Sequence, residues 1–223
     1  MRATDERIRK AYQTLLSRFG PQDCWPGGSR FEIVAGAILT QGTSWQNVVI
    51  ALERLRESGM LSEHALSSAE PETVCELIRP AGFQRRKQQT LCELARMASR
   101  WEGGLDGLLS VGLEPLRRLL ISIRGIGPET ADAVLLYAGG YPVFVVDSYT
   151  MRFASRHRLA GRGSSYDDVS MLFANAMRGN ASDMAEFHAL LVKLGKLYCR
   201  PAPQCVDCPL RKDLGQCEAE STS

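Results

Sequence analysis

No stretch of the 223-residue sequence approaches the roughly 18–20 consecutive apolar residues that a membrane-spanning helix needs. The opening residues, MRATDERIRK, are charged throughout and lack the apolar core of a secretory signal. Lysine is scarce, 5 against 22 arginines, and the net charge is only +2, which by itself says little about partners. There are three histidines (His64, His157, His188), and none falls in a pattern that suggests a role. Repeats are absent, low complexity is confined to residues 218–223, and no linker-like segment marks a domain boundary. Strand propensity is confined to residues 143–146, with no second strand to pair with them. That absence excludes a sheet and predicts an all-α protein in which residues 143–146 form a buried extended connection.

What is present is helical periodicity. Ile8, Ala11, Tyr12, Leu15 and Leu16 make an apolar stripe over residues 4–19, which Gly20-Pro21 ends, and Trp25-Pro26-Gly27-Gly28 continues the loop. Ser29-Arg30-Phe31-Glu32 and Thr43-Ser44-Trp45-Gln46 read as capping boxes that open two helices, with Thr40-Gln41-Gly42 as the short turn between them. Further stripes cover roughly 70–79, 84–101, 113–122, 128–138, 148–158, 166–177 and 183–198.

Seven cysteines without a secretory signal argue against a disulfide framework. Cys24, Cys75 and Cys92 are scattered, whereas Cys199-x5-Cys205-x2-Cys208-x8-Cys217 has metal-ligand spacing. Zinc and a [4Fe–4S] cluster both accept four thiolates, and the spacing leaves the two open.

Residues 119–152 organise the rest. An apolar helix end is followed by Arg124-Gly125-Ile126-Gly127, then by Pro128 at the start of a new helical run. Two glycines around one apolar residue suit a sharp turn that approaches something closely. Pro128 suits the first helical position, and the unpaired N–H groups at the positive end of a helix dipole invite a phosphate. Twenty residues after Gly127, Asp147 stands at the start of a further helix. The pattern reads as a helix-hairpin-helix that grips a nucleic-acid backbone, followed by a carboxylate placed to act on it. Arg117, Arg118 and Arg124, and then Arg152, Arg156, Arg158 and Arg162, add forked donors suited to phosphate. Arg85-Arg86-Lys87 reads as a solvated helix face.

Gly125-Ile126-Gly127, Val146-Asp147-Ser148-Tyr149 and the four-cysteine tail resemble the helix-hairpin-helix DNA glycosylases of the endonuclease III superfamily. The resemblance covers nearly the whole chain. It implies two helical domains, one over residues 22–133 and one combining 1–21 with 134–223, with a DNA-binding cleft between them. It implies a [4Fe–4S] cluster on Cys199, Cys205, Cys208 and Cys217 in preference to zinc, and double-stranded DNA as the partner. The sequence is nearly silent on oligomeric state, so a monomer is the default, and a cytoplasmic location is expected (nucleoid-associated in a bacterium). Asp147 would be the catalytic carboxylate, stabilising charge on the sugar as the base leaves. Gly125, Ile126, Gly127, Arg124 and Arg152 would hold DNA, and Gln41 would fill the gap left by a flipped base.

One residue of the pattern is missing. Family members that also nick the strand carry a lysine whose amine attacks C1′, and Glu129 stands in its place here. A carboxylate forms no imine, so a monofunctional enzyme with little lyase activity is expected. The region around Trp25 and Trp45 is most similar to the 3-methyladenine glycosylases, where such aromatics sandwich a cationic alkylated purine. A glycosylase for oxidised or mismatched pyrimidines is the alternative, and a non-catalytic DNA-binding scaffold the second.

Overall fold

The computed structural model describes residues 3–22, 28–161 and 163–211, and every regular element among them is helical. In chain order these are α1 (Ala3–Phe19), α2 (Arg30–Leu39), α3 (Trp45–Glu57), α4 (Glu63–Ser67), α5 (Pro71–Leu77), α6 (Gln84–Ser99), α7 (Gly104–Leu109), α8 (Leu113–Ser122), α9 (Pro128–Ala133), α10 (Ser148–Arg156), α11 (Tyr166–Ala176) and α12 (Ala181–Leu197). A 3₁₀ turn (Arg79–Ala81) precedes α6, and a π turn (Val134–Ala138) continues α9. With 5 and 6 residues, α4 and α7 are too short for periodicity to reveal them. No described helix is long and apolar enough to cross a membrane.

The chain forms two compact units, Trp25–Tyr141 and the combination of Met1–Cys24 with Pro142–Ser223. A boundary after residue 133 would cut between α9 and the π turn that continues it. The chain stays with the first unit as far as Tyr141, whose hydroxyl donates to Leu109 O at 2.7 Å and accepts the Gly112 N–H at 3.1 Å.

In the Trp25–Tyr141 unit, α2 is buried along nearly its whole length, including Phe31, Val34, Ile38 and Leu39. Each such side chain contributes roughly 1.5–3 kcal/mol by leaving water. Ser29 caps α2 through the Glu32 N–H, but the reciprocal half of the expected capping box is replaced by an ion pair of Glu32 with Arg56. At α3 the cap is Ser44, which accepts the Asn47 N–H. Lys87, expected on a solvated face, is buried instead. Its ammonium donates to Leu39 O and Ala81 O, both at 2.8 Å, and so satisfies the carbonyl end of α2. Burial lowers its pKa to about 8.

The other unit is built on an aromatic cluster of Phe144, Phe153, Phe173 and Phe187, all fully buried. Residues 143–146 run through it as the expected extended connection, without a strand partner among the described residues. Side chains satisfy part of its backbone: the Ser170 hydroxyl donates to Phe144 O at 2.7 Å, and the Val146 N–H donates to the Tyr166 hydroxyl at 3.4 Å. The connection delivers Asp147 to the first turn of α10 in a fixed position.

Candidate functional site

The hairpin lies between α8 and α9. Its turn is closed by the Ile126 N–H on Ile123 O at 3.0 Å, and Ile126 itself is buried as an apolar anchor. Gly125 has φ +99°, and a Cβ there would lie 2.4 Å from Thr90 Oγ1. Gly127, by contrast, has φ −97° and nothing within 4 Å of where a Cβ would stand. One glycine is demanded by the fold, and the other faces open space. No side-chain hydrogen bond caps the start of α9, and Arg124, four residues before its first residue, is exposed.

Four side chains brace this turn. Thr90 Oγ1 donates to Arg124 O at 2.9 Å, and Gln41 Nε2 donates to Gly125 O at 2.9 Å and to Thr130 Oγ1 at 2.8 Å. Arg117 on α8 meets Asp132 on α9 through two bonds, Nε–Oδ1 at 2.7 Å and Nη2–Oδ2 at 3.2 Å, with Asp132 fully buried. A forked pair of this kind fixes the angle between the two helices. Glu129 is exposed on the first turn of α9.

Beside Gln41, Phe83 is 69% exposed and adopts φ +49°, an unfavourable region for an aromatic residue. Its ring edge lies 3.5 Å from the position of a Gly42 Cβ. Trp45 is half-buried at the first position of α3; Trp25 lies outside the described residues.

In the other unit, Asp147 is the N-cap of α10, and its Oδ1 accepts the Thr150 N–H at 2.7 Å. Its Oδ2 lies 3.6 Å from Nε2 of His188 on α12, and the two side chains are 13% and 14% exposed. Burial pushes the Asp147 carboxyl up, but His188 and the Thr150 contacts outweigh it and hold the pKa below the ordinary carboxylate value. Asp147 is therefore an anion in a largely dry setting. Arg152 is drawn elsewhere: its Nε donates to Cys199 O at 2.7 Å and its guanidinium stacks 5.2 Å over the Tyr149 ring.

The cysteine loop differs from expectation. No group of three or more His, Cys, Asp or Glu among the described residues is arranged to hold a metal ion. Cys199, Cys205 and Cys208 are free thiols, and Cys217 lies outside the described residues. A zinc or iron–sulfur site needs several such ligands converging on one point, and the three described thiols form no such group, with or without a nearby His, Asp or Glu. The described part of the loop therefore offers neither the expected [4Fe–4S] site nor a zinc site. Guanidinium–carbonyl bonds tie the loop down instead. Arg156 donates to Arg200 O at 2.6 Å and Pro201 O at 2.8 Å, with Cys199 Sγ at 3.4 Å, alongside the Arg152 bond.

His188 and Phe83 were not singled out from the sequence. A signal for His188 existed: it falls on the apolar stripe of α12, four residues after Met184 and three before Leu191. A titratable residue on a core-facing stripe needs a partner. Nothing in the sequence marks the backbone strain at Phe83.

The pattern of the HhH-GPD superfamily of base excision DNA repair proteins matches residues 35–178. A candidate DNA repair glycosylase of Methanocaldococcus jannaschii is 37% identical over 93% of this chain and 95% of its own length. Endonuclease III of Sulfolobus acidocaldarius is 29% identical over 92% of this chain and 91% of its own. The thymine-DNA glycosylase of Aeropyrum pernix is 31% identical over 80% and 78%. Among solved structures, the 3-methyladenine DNA glycosylase of H. pylori, bound to 1,N6-ethenoadenine, superposes with a TM-score of 0.76 at 26% identity, covering 86% of this chain and 97% of that one.

Proposed function

The chain belongs to the HhH-GPD superfamily of base excision DNA repair proteins and is a DNA N-glycosylase acting on double-stranded DNA, and we propose that it hydrolyses the glycosidic bond of an oxidised or mismatched pyrimidine with water as nucleophile. The observation that carries the reading is the combination of Glu129 at the hairpin with an ionised Asp147 at the head of α10. The first removes the amine that a lyase needs, and the second supplies what hydrolysis needs.

In this reading the hairpin binds phosphate through Gly125, Ile126 and Gly127 with Arg124. Gln41 is tied to Gly125 O and Thr130 Oγ1 and so braces the hairpin rather than entering the gap expected for it, which leaves the exposed Phe83 beside it as the apolar wedge beneath the flipped base. As the C1′–N bond breaks, the base departs with the bonding pair and positive charge builds on the sugar. Asp147 stabilises that charge across a low-dielectric gap. Water then adds to C1′, and the proton it loses passes to the carboxylate.

The pyrimidine assignment is supported by likeness to endonuclease III and to a thymine-DNA glycosylase over most of the chain. A second reading, an alkylated purine, is favoured by the likeness to the H. pylori enzyme and by the half-buried indole of Trp45. End-labelled duplexes carrying thymine glycol, a G·T mismatch or 3-methyladenine separate the two. Breaks that need alkali and arise from thymine glycol or the mismatch are expected. Breaks confined to 3-methyladenine would move the alkylpurine reading to the front, and breaks without alkali would overturn the hydrolytic step.

A further inference from the structure

We propose that His188 is a positioning residue for the carboxylate of Asp147, holding Oδ2 while the Thr150 N–H holds Oδ1, so that the anion stays aimed and ionised as the sugar turns cationic. The inference rests on the catalytic role proposed for Asp147 and adds a residue which that role did not need.

Both oxygens of Asp147 are accounted for. Oδ1 takes the 2.7 Å bond from Thr150, and Oδ2 faces His188 Nε2 at 3.6 Å. The second distance is longer than a hydrogen bond. Pairs of this kind in free enzymes are often long and tighten when substrate is bound. Each carboxylate oxygen keeps a further lone pair for the sugar or for water.

The reach of His188 is set by a second, separate feature. Gly195 lies seven residues after His188, on the same face of α12, and a Cβ there would fall 2.1 Å from Tyr149 Cδ1. Tyr149 is two residues after Asp147. The helices α10 and α12 therefore close to glycine distance beside the pair, which keeps a ring on one within reach of a carboxylate on the other.

An apolar residue at position 188 would pack on the α12 stripe without the desolvation that an imidazole incurs. The imidazole instead faces a carboxylate that burial alone would drive toward its neutral, useless form, and it is the leading influence that opposes burial there. Its place beside Oδ2 explains both its burial and its position.

The test compares H188L, H188Q and H188N with D147N and the parent on duplexes carrying thymine glycol, the mismatch or 3-methyladenine. Single-turnover rate, duplex Kd and urea midpoint are read for each. A glutamine amide nitrogen reaches where Nε2 stood, whereas an asparagine amide stops one bond short. H188L and H188N should lose about 10- to 100-fold in rate, the range expected for one hydrogen bond to a charged group. Their Kd should be unchanged, their midpoint should fall by no more than the loss of one buried partner implies, and H188Q should recover most of the rate. Parent-like rates in H188L and H188N would overturn the proposal, as would an H188Q as slow as H188N. Loss of duplex binding in step with rate would also overturn it. Should H188L fail to fold, the polar pair H188Q and H188N decides alone. An active D147N would refute the underlying reading of Asp147, whereas an inactive D147N beside a fast H188L would refute only the role of His188.

Discussion

The two glycines of the hairpin should fail in opposite ways when given the same methyl group. At Gly125, φ +99° costs an L-residue about 1–2 kcal/mol relative to glycine. The added Cβ would also stand 2.4 Å from Thr90 Oγ1. Thr90 must turn away and give up its bond to Arg124 O, worth about 0.5–1.5 kcal/mol. G125A should therefore destabilise the protein by roughly 2–3 kcal/mol, and T90A in the same chain should relieve the clash but not the φ strain. At Gly127, φ −97° and the open surroundings predict a change in stability within about 0.5 kcal/mol for G127A. On the proposed reading of the hairpin, the methyl would instead occupy the space into which a phosphate comes. Urea denaturation and duplex binding, measured on both variants, separate the effects. A G127A that binds DNA like the parent would refute the assignment of that open face to phosphate. A G125A as stable as the parent would refute the account of the turn.

Replacing Glu129 with lysine restores an amine at the head of α9, where a cation is disfavoured by only about 0.3–1 kcal/mol. E129K should gain strand cleavage without alkali and a borohydride-trapped protein–DNA adduct, and the parent should show neither. Stability should also fall in mild acid because of His157. Burial first, and then Arg7 and Arg156, lower its pKa from 6.5 to about 4, so the unfolded chain takes up the proton first. The contribution is intact above pH 6.5 and is lost between there and about 4, reaching roughly 3 kcal/mol. The difference in urea midpoint between parent and H157F should shrink or reverse from pH 7 to 4.5, and parallel curves would refute it.

The features most legible in the sequence were those that one short segment dictates. Gly125-Ile126-Gly127-Pro128 specifies its turn because the φ, the missing N–H and the apolar anchor are all local. Asp147 could be placed at a helix start because residues 143–146 cannot continue a helix or find a strand. Harder to read were features made by distant partners. Lys87 belongs to a basic run, and only the carbonyls of Leu39 and Ala81 explain its burial. Glu32 has the spacing of a capping box but turns to Arg56 from the next helix. The cysteine spacing suited a metal site, yet spacing fixes the order of ligands and not their convergence.

The arginines show the same division, and they yield a prediction. Of the arginines read as phosphate donors, three make structural contacts instead: Arg117 pairs with Asp132, Arg152 donates to Cys199 O, and Arg156 donates to Arg200 O and Pro201 O. Arg86 and Arg124 differ. Both are exposed, and their backbones meet at one hydroxyl, Thr90 Oγ1, which lies 3.1 Å from Arg86 O and 2.9 Å from Arg124 O. Two guanidinium groups thus spring from adjacent points beside the uncapped start of α9. If both neutralise a phosphate, R86A/R124A should reduce the salt dependence of duplex binding by roughly 2 in the slope of log K against log[salt], about 0.9 for each phosphate no longer neutralised. R152A should leave the slope unchanged and lower the unfolding midpoint, because its donor holds a carbonyl. An unchanged slope in R86A/R124A, or a reduced one in R152A, would reverse the assignment of grip and scaffold among these residues.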